Sequence, residues 1–195
     1  QMETRTPPLE YDRELAIKQH KVAMTPDMVA QRARVRAALR LHPGERVLEV
    51  GSGNGLLASE MAVEVGAGGH VSGVDISSSM VAMANDLCRR LPNVDFTTAD
   101  AISLPYEDAS FDVVTAVQCL CFVPNVSAAS AELFRILRPG GRFVILDTDW
   151  DTLVWNSTNP RLMDKVMELY KGVYVDARVP RKLGRLLKTA RMEIT

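Results

Sequence analysis

The residues best placed to do chemistry lie in the run Glu49-Val50-Gly51-Ser52-Gly53-Asn54-Gly55. Glycines at alternate positions let the chain turn tightly and let a ligand approach the backbone. Asp75 follows Gly51 by 24 residues, and Asp100 stands further on in Ala99-Asp100-Ala101. An acidic side chain at the first spacing can accept hydrogen bonds from both hydroxyls of a ribose. Asp100 can accept from an amine such as the N6 of adenine. Each feature alone has structural uses, as a turn glycine or a loop carboxylate. Their order along the chain carries the reading.

The surrounding sequence supplies elements to position them. Arg46 to Val50 reads as a strand and Leu56 to Val65 as a helix, so the glycine run joins a strand to a helix. His70 to Val74, Val94 to Thr98, Phe111 to Val117 and Arg142 to Leu146 read as further strands. Helices are expected over Ser77 to Leu91 and Val126 to Leu137, the second ending at Pro139-Gly140-Gly141. Alternating strands and helices imply βαβ units, a parallel sheet and right-handed crossovers. Val113-Val114 and Phe143-Val144-Ile145-Leu146 are continuously apolar, as strands buried on both faces are. Two helices precede this core, the second opening at Thr25-Pro26 and stopped by Pro43-Gly44. Two more, around Leu162 to Tyr170 and Leu183 to Ala190, follow it. Residues 1–195 are expected to form one domain: a helical cap over 1–42, a core over 43–150 and an incomplete part over 151–195.

Composition limits the alternatives. The 195 residues carry 23 Lys+Arg against 24 Asp+Glu, a balance that argues against a protein built to neutralise nucleic-acid phosphates. Cys88, Cys119 and Cys121 do not form a disulfide framework and suit a reducing, cytoplasmic setting. No window approaches the roughly 20 apolar residues of a membrane span.

With these elements in order, the chain resembles the class I S-adenosylmethionine-dependent methyltransferases, in particular those acting on quinones and other metabolites. The resemblance rests on Val47 to Gly55, Gly73-Val74-Asp75-Ile76-Ser77, Ala99-Asp100-Ala101, Phe111-Asp112-Val113-Val114 and Leu137 to Val144. It implies a three-layer Rossmann-like α/β fold with an N-terminal helical cap, and S-adenosylmethionine as cofactor. It places Glu49, Gly51, Gly53 and Gly55 around the methionine part of that cofactor. Asp75 falls to the ribose, Ile76 to an adenine face, Asp100 and Ala101 to the adenine edge, and Val117 and Gln118 near the sulfonium. A dinucleotide fingerprint would need glycine where Leu56 stands, and Glu49 would repel a pyrophosphate. A cofactor-binding module without catalysis is the other reading.

The acceptor is expected to be a small molecule, without nucleic acid or metal. The family commonly shows a histidine where this chain has Phe122, so no general base is assigned, and His20 and Tyr11 are the alternatives. Cys119-x-Cys121 reads as small buried side chains. Asp147-Thr148-Asp149-Trp150-Asp151 invites a Mg²⁺ reading that Gln118 disfavours, and Trp150 and Trp155 offer aromatic surface to an acceptor. Met24, Thr25, Met28 and Val29 are expected to face the site from the cap. Members of the family usually add two strands after the fifth. Met192 to Thr195 resembles the start of one, which predicts missing C-terminal strands or a homodimer that exchanges strands at that edge.

Overall fold

A computed structural model describes residues 12–189. Tyr11, Ala190 and the Met192 to Thr195 segment lie outside the described residues. Five strands, β1 (Arg46–Val50), β2 (His70–Asp75), β3 (Val94–Thr98), β4 (Phe111–Val117) and β5 (Leu137–Leu146), form one parallel sheet in the order β3-β2-β1-β4-β5. Helices α1 (Arg13–Ala23), α2 (Pro26–Leu39), α3 (Leu56–Val65), α4 (Ser78–Cys88), α5 (Val126–Ile136), α6 (Pro160–Lys171) and α7 (Pro180–Thr189) accompany it. The expected Rossmann-like fold is the observed one.

Two apolar layers flank the sheet. Val47, Val71 and Val113 face α2, α3 and α4, whereas Leu48, Val50 and Val114 face α5. Side chains alternate across each strand, so both faces of β1 are apolar. β4 is buried almost throughout. β5 is not: Phe143 to Leu146 are only half-buried, because β5 stands at the edge and its outer side pairs with no strand among the described residues. The Pro139-Gly140-Gly141 run also differs from expectation. β5 already begins at Leu137, opposite Phe111, and Arg142 resumes the ladder opposite Val113, so Arg138 to Gly141 form a bulge within the strand.

One side chain fixes the position of α2. Arg142 Nε donates to Leu39 O at 2.6 Å and Nη2 to Arg40 O at 2.6 Å, satisfying carbonyls at the helix end. The same guanidinium reaches both oxygens of Glu45 at 2.7 Å. Arg40 terminates α2 in the left-handed region at φ 49°, before Pro43-Gly44 is reached. Arg32 and Arg36 tie the other side of α2 to Glu60 and Glu64 of α3.

Arg142→Ala is expected to destabilise the protein by about 2–3 kcal/mol, read as a lower urea midpoint at unchanged slope. Burial raises the Glu45 carboxyl, but the Arg142 and His42 hydrogen bonds outweigh it and hold the group below its ordinary value. That contribution exists above the ordinary carboxylate range and disappears as pH falls through the folded value. The gap between wild type and variant should therefore narrow below about pH 4.

Candidate functional site

The carboxyl ends of the strands open onto a cavity of about 760 Å³. Its floor is the turn after β1. Gly51 N and Ser52 N both donate to Val74 O, at 2.8 and 2.9 Å, which stitches the turn to β2. Gly51 has φ +73°, and a Cβ there would lie 2.6 Å from Cys119 Sγ. Gly53 has φ +52° and faces open space. Gly53 N donates to Asp75 Oδ2 at 2.8 Å, while Ser77 N donates to Oδ1 at 2.9 Å. Asp75 therefore joins the glycine turn to the start of α4, and burial raises its carboxyl.

Glu49 sits beneath this turn on the central strand, 4% exposed. Its Oε2 is buried without a hydrogen-bond partner. Burial above all, with Asp75 and Glu60 adding to it, pushes its carboxyl well above the ordinary range. Arg32 also lines the cavity, but its guanidinium is committed to Glu60 Oε1 at 2.9 Å and Ala23 O at 2.5 Å. Glu49 thus lines a cavity whose one cationic side chain among the described residues, Arg32, is already engaged.

Nine of the ten residues singled out from the sequence line this one cavity: Glu49, Gly51, Gly53, Asp75, Ile76, Asp100, Ala101, Val117 and Gln118. Gly55 does not. With φ +78° it begins α3, where a Cβ would meet Phe96 and Ala84 at 2.8 and 2.9 Å, so it sets how closely α3 approaches α4 and β3. Ile76 is 46% exposed, a face available to a flat ligand. Asp100 uses Oδ1 to accept from Ile102 N at 3.1 Å. Gln118, at φ 52°, is pinned by its amide: Nε2 donates to Thr148 Oγ1 at 2.8 Å and Oε1 accepts from Thr148 N at 3.1 Å.

Of the rest of the wall, Val123, Pro124, Gln19, Ala23 and Gln31 were not marked in the sequence. Cys119, Phe122, Val123 and Pro124 contribute from the turn after β4, and Gln19, Ala23, Met28 and Gln31 from α1 and α2. Of the cap residues expected to face the site, Met28 does so, while Met24 and Val29 are 53% and 42% exposed. His20 does not line the cavity; its Nδ1 lies 3.2 Å from Asn54 Nδ2 in the glycine turn.

Asp147, at the end of β5, anchors the 3-10 turn Leu120–Phe122 by accepting from Leu120 N at 3.2 Å and Cys121 N at 3.4 Å. Burial pushes its carboxyl up to about 6. Burial also raises the Cys119 and Cys121 thiols, so both behave as small apolar groups. Asp149 and Asp151 are engaged by Arg178, Arg181 and Lys171. Trp150 and Trp155 do not line the cavity either. Trp150 stacks on Tyr174 with ring centroids 4.6 Å apart, and Trp155 leans on Tyr170, so both cover α6 rather than an acceptor. Large flat side chains signal burial somewhere, and here that burial is between the β5 loop and a helix.

A family model described as a methyltransferase domain matches residues 48–145, the stretch holding all ten residues singled out from the sequence. The chain belongs to the methyltransferase-domain family. The ubiquinone/menaquinone biosynthesis C-methyltransferase of Vibrio campbellii is 36% identical over 135 residues, which cover 65% of this chain and 52% of that protein. The chain thus spans about half the length of that curated relative. The crystal structure of a SAM-dependent methyltransferase from Aquifex aeolicus superimposes with a TM-score of 0.69 at 20% identity, covering 95% of this chain and 91% of that one, and shows the shared fold. The cyclase SpnF, 34% identical with a TM-score of 0.56, covers 60% of this chain and 43% of its own.

Replacing Glu49 by Gln separates the charge from its shape. A carboxyl raised by folding holds a proton that the unfolded chain releases, so its stability contribution is full below the ordinary carboxylate range and declines as pH rises towards the folded value. Glu49→Gln should therefore be more stable than wild type at neutral pH without ligand, with the difference shrinking towards pH 4. Thermal melts across that range check both signs.

Proposed function

We propose that the protein catalyses S-adenosylmethionine-dependent methyl transfer to a small-molecule acceptor. The observation that carries this reading is the unpartnered Oε2 of Glu49 beside an open, glycine-lined turn. An ammonium group is the complement of a buried carboxylate, and the amino-acid end of this cofactor supplies one. A nicotinamide dinucleotide would bring its pyrophosphate towards the same carboxylate.

The remaining assignments follow from placement along the cavity. Gly51 and Gly53 leave the methionine part room against the backbone. Asp75, whose two oxygens each already hold one backbone N–H, has a lone pair on each for the ribose hydroxyls. Ile76 packs on adenine, and Asp100 and Ala101 meet its edge. Val117 and Gln118 lie nearest the sulfur, with Gln118 fixed by Thr148. When bound, the cofactor supplies a methyl group already activated for in-line displacement. The protein's share is alignment and exclusion of water, worth up to about 7–11 kcal/mol in favourable cases. Cys119, Phe122, Val123 and Pro124 form an apolar wall for an acceptor such as a phenol or quinol ring. Among the described residues, the ionisable side chains lining the cavity are Glu49, Asp75, Asp100, Arg32 and Cys119.

The fold alone does not set the chemistry, since a cyclase shares it. Turnover of a labelled methyl donor against phenols, quinols and amines tests the reading, and cofactor binding without any methylation would favour a binding module. Asp75→Ala should weaken S-adenosylhomocysteine binding at least about tenfold by calorimetry, since it removes hydrogen bonds worth about 1.5–3 kcal/mol each. NADH should give no binding heat in the same assay.

A further inference from the structure

The turn after β1 holds a second orphaned group. Among the buried serine and threonine hydroxyls of the described residues, those of Ser72, Ser77, Thr115 and Ser130 each have a hydrogen-bond partner. Ser52, 5% exposed, is the exception: its Oγ is buried and has none. Its backbone is fully used, since Ser52 N donates to Val74 O at 2.9 Å and Ser52 O accepts from Gly55 N at 3.0 Å. A buried hydroxyl without a partner is costly, and native structures rarely keep one.

Its position says what it serves. Ser52 lines the same cavity as Glu49. Gly73 lies opposite Glu49 in the register of β1 and β2, and residues so paired direct their side chains to the same face of a sheet. A Cβ built at Gly73 would stand 3.0 Å from Ser52 Cβ. The hydroxyl and the Glu49 carboxyl therefore belong to one small region beside Gly73, yet Ser52 Oγ and Glu49 Oε2 do not bond to each other. Two oxygens so placed are both satisfied by one group with several N–H donors. An ammonium has three, whereas a carboxylate or phosphate there would meet the Glu49 carboxyl.

We infer that Ser52 Oγ is a second acceptor for the ligand's ammonium group, so that Ser52 and Glu49 together select a ligand carrying a free amino group. The inference rests on the cofactor reading above and adds a specificity-determining residue to it. Glu49 supplies the charge. Ser52 fixes the direction, because a single carboxylate oxygen leaves an ammonium free to turn about it. A hydroxyl does this without placing a second negative charge in a buried site.

Calorimetry with S-adenosylhomocysteine, and with its analogue bearing hydrogen in place of the amino group, tests this. Wild type should bind S-adenosylhomocysteine at least about tenfold more tightly than the analogue. Ser52→Ala should weaken S-adenosylhomocysteine binding by about tenfold and analogue binding by less than about twofold, a coupling that isolates the contact between hydroxyl and amino group. Ser52→Cys, which fills the space with a weaker acceptor, should also lose affinity for S-adenosylhomocysteine. Without ligand, Ser52→Ala should melt no lower than wild type, because no bond is lost. Equal losses for both ligands in Ser52→Ala, or a lowered melting temperature without ligand, assign the hydroxyl to a structural water and overturn the inference. So does a Ser52→Cys variant that binds as wild type does. If wild type binds S-adenosylhomocysteine and Ser52→Ala changes nothing, the inference alone fails; if wild type binds none, the cofactor reading fails and the inference with it.

Discussion

Glu49 is buried because it lies on β1, the strand with neighbours on both sides, opposite Gly73 of β2 and Thr115 of β4. At this depth a carboxylate is tolerated only with a partner or with its proton, and Arg32, which could have neutralised it, is held by Glu60 and Ala23 O. The surrounding construction leaves that oxygen buried and without a hydrogen-bond partner. Gly73, opposite Glu49, leaves its own place to the Phe96 ring, which a Cβ would strike at 2.4 Å, and the chain leaving β1 turns through glycines. Under the methyl-transfer reading, the cofactor's ammonium group relieves the tension at Glu49.

The same economy holds at the β4 and β5 ends. Asp147 spends its carboxylate on two backbone N–H groups of the turn that carries Phe122, and Gln118 spends its amide on Thr148. Cys119 contributes volume against Gly51. The wall at the β4 and β5 ends is thereby largely apolar, while the end at the glycine turn carries the carboxylates Glu49, Asp75 and Asp100. Such a division suits a reaction whose reactive carbon arrives already activated, where placement matters more than acid–base chemistry.

Most of this was legible in the sequence where local chemistry decides structure. The strand β1, the glycine turn and the helix α3 follow from apolar runs and punctuation, and Asp75 and Asp100 follow from their place at strand ends. Legibility failed where tertiary neighbours decide. Gly55 shares its type with Gly51 and Gly53, yet its constraint comes from Phe96 and Ala84, distant in sequence. Leu137 joins β5 because Phe111 offers it a partner, so the Pro-Gly-Gly run became a bulge instead of a boundary. Gln31 and Arg32 carry no local signal in the sequence, yet both line the cavity from a helix held by Arg142 and Glu60. The tryptophans were read for their chemistry, whereas the tyrosines of α6 and the loop after it had already claimed them.

Everything in this account depends on what satisfies Glu49. A crystal structure of the protein with S-adenosylhomocysteine measures that directly. The account predicts the ligand's amino group within hydrogen-bond distance of Glu49, its ribose on Asp75, and its sulfur facing the wall made by Cys119 and Phe122. A ligand bound outside this cavity, or one whose amino group leaves Glu49 Oε2 unpartnered, would contradict it.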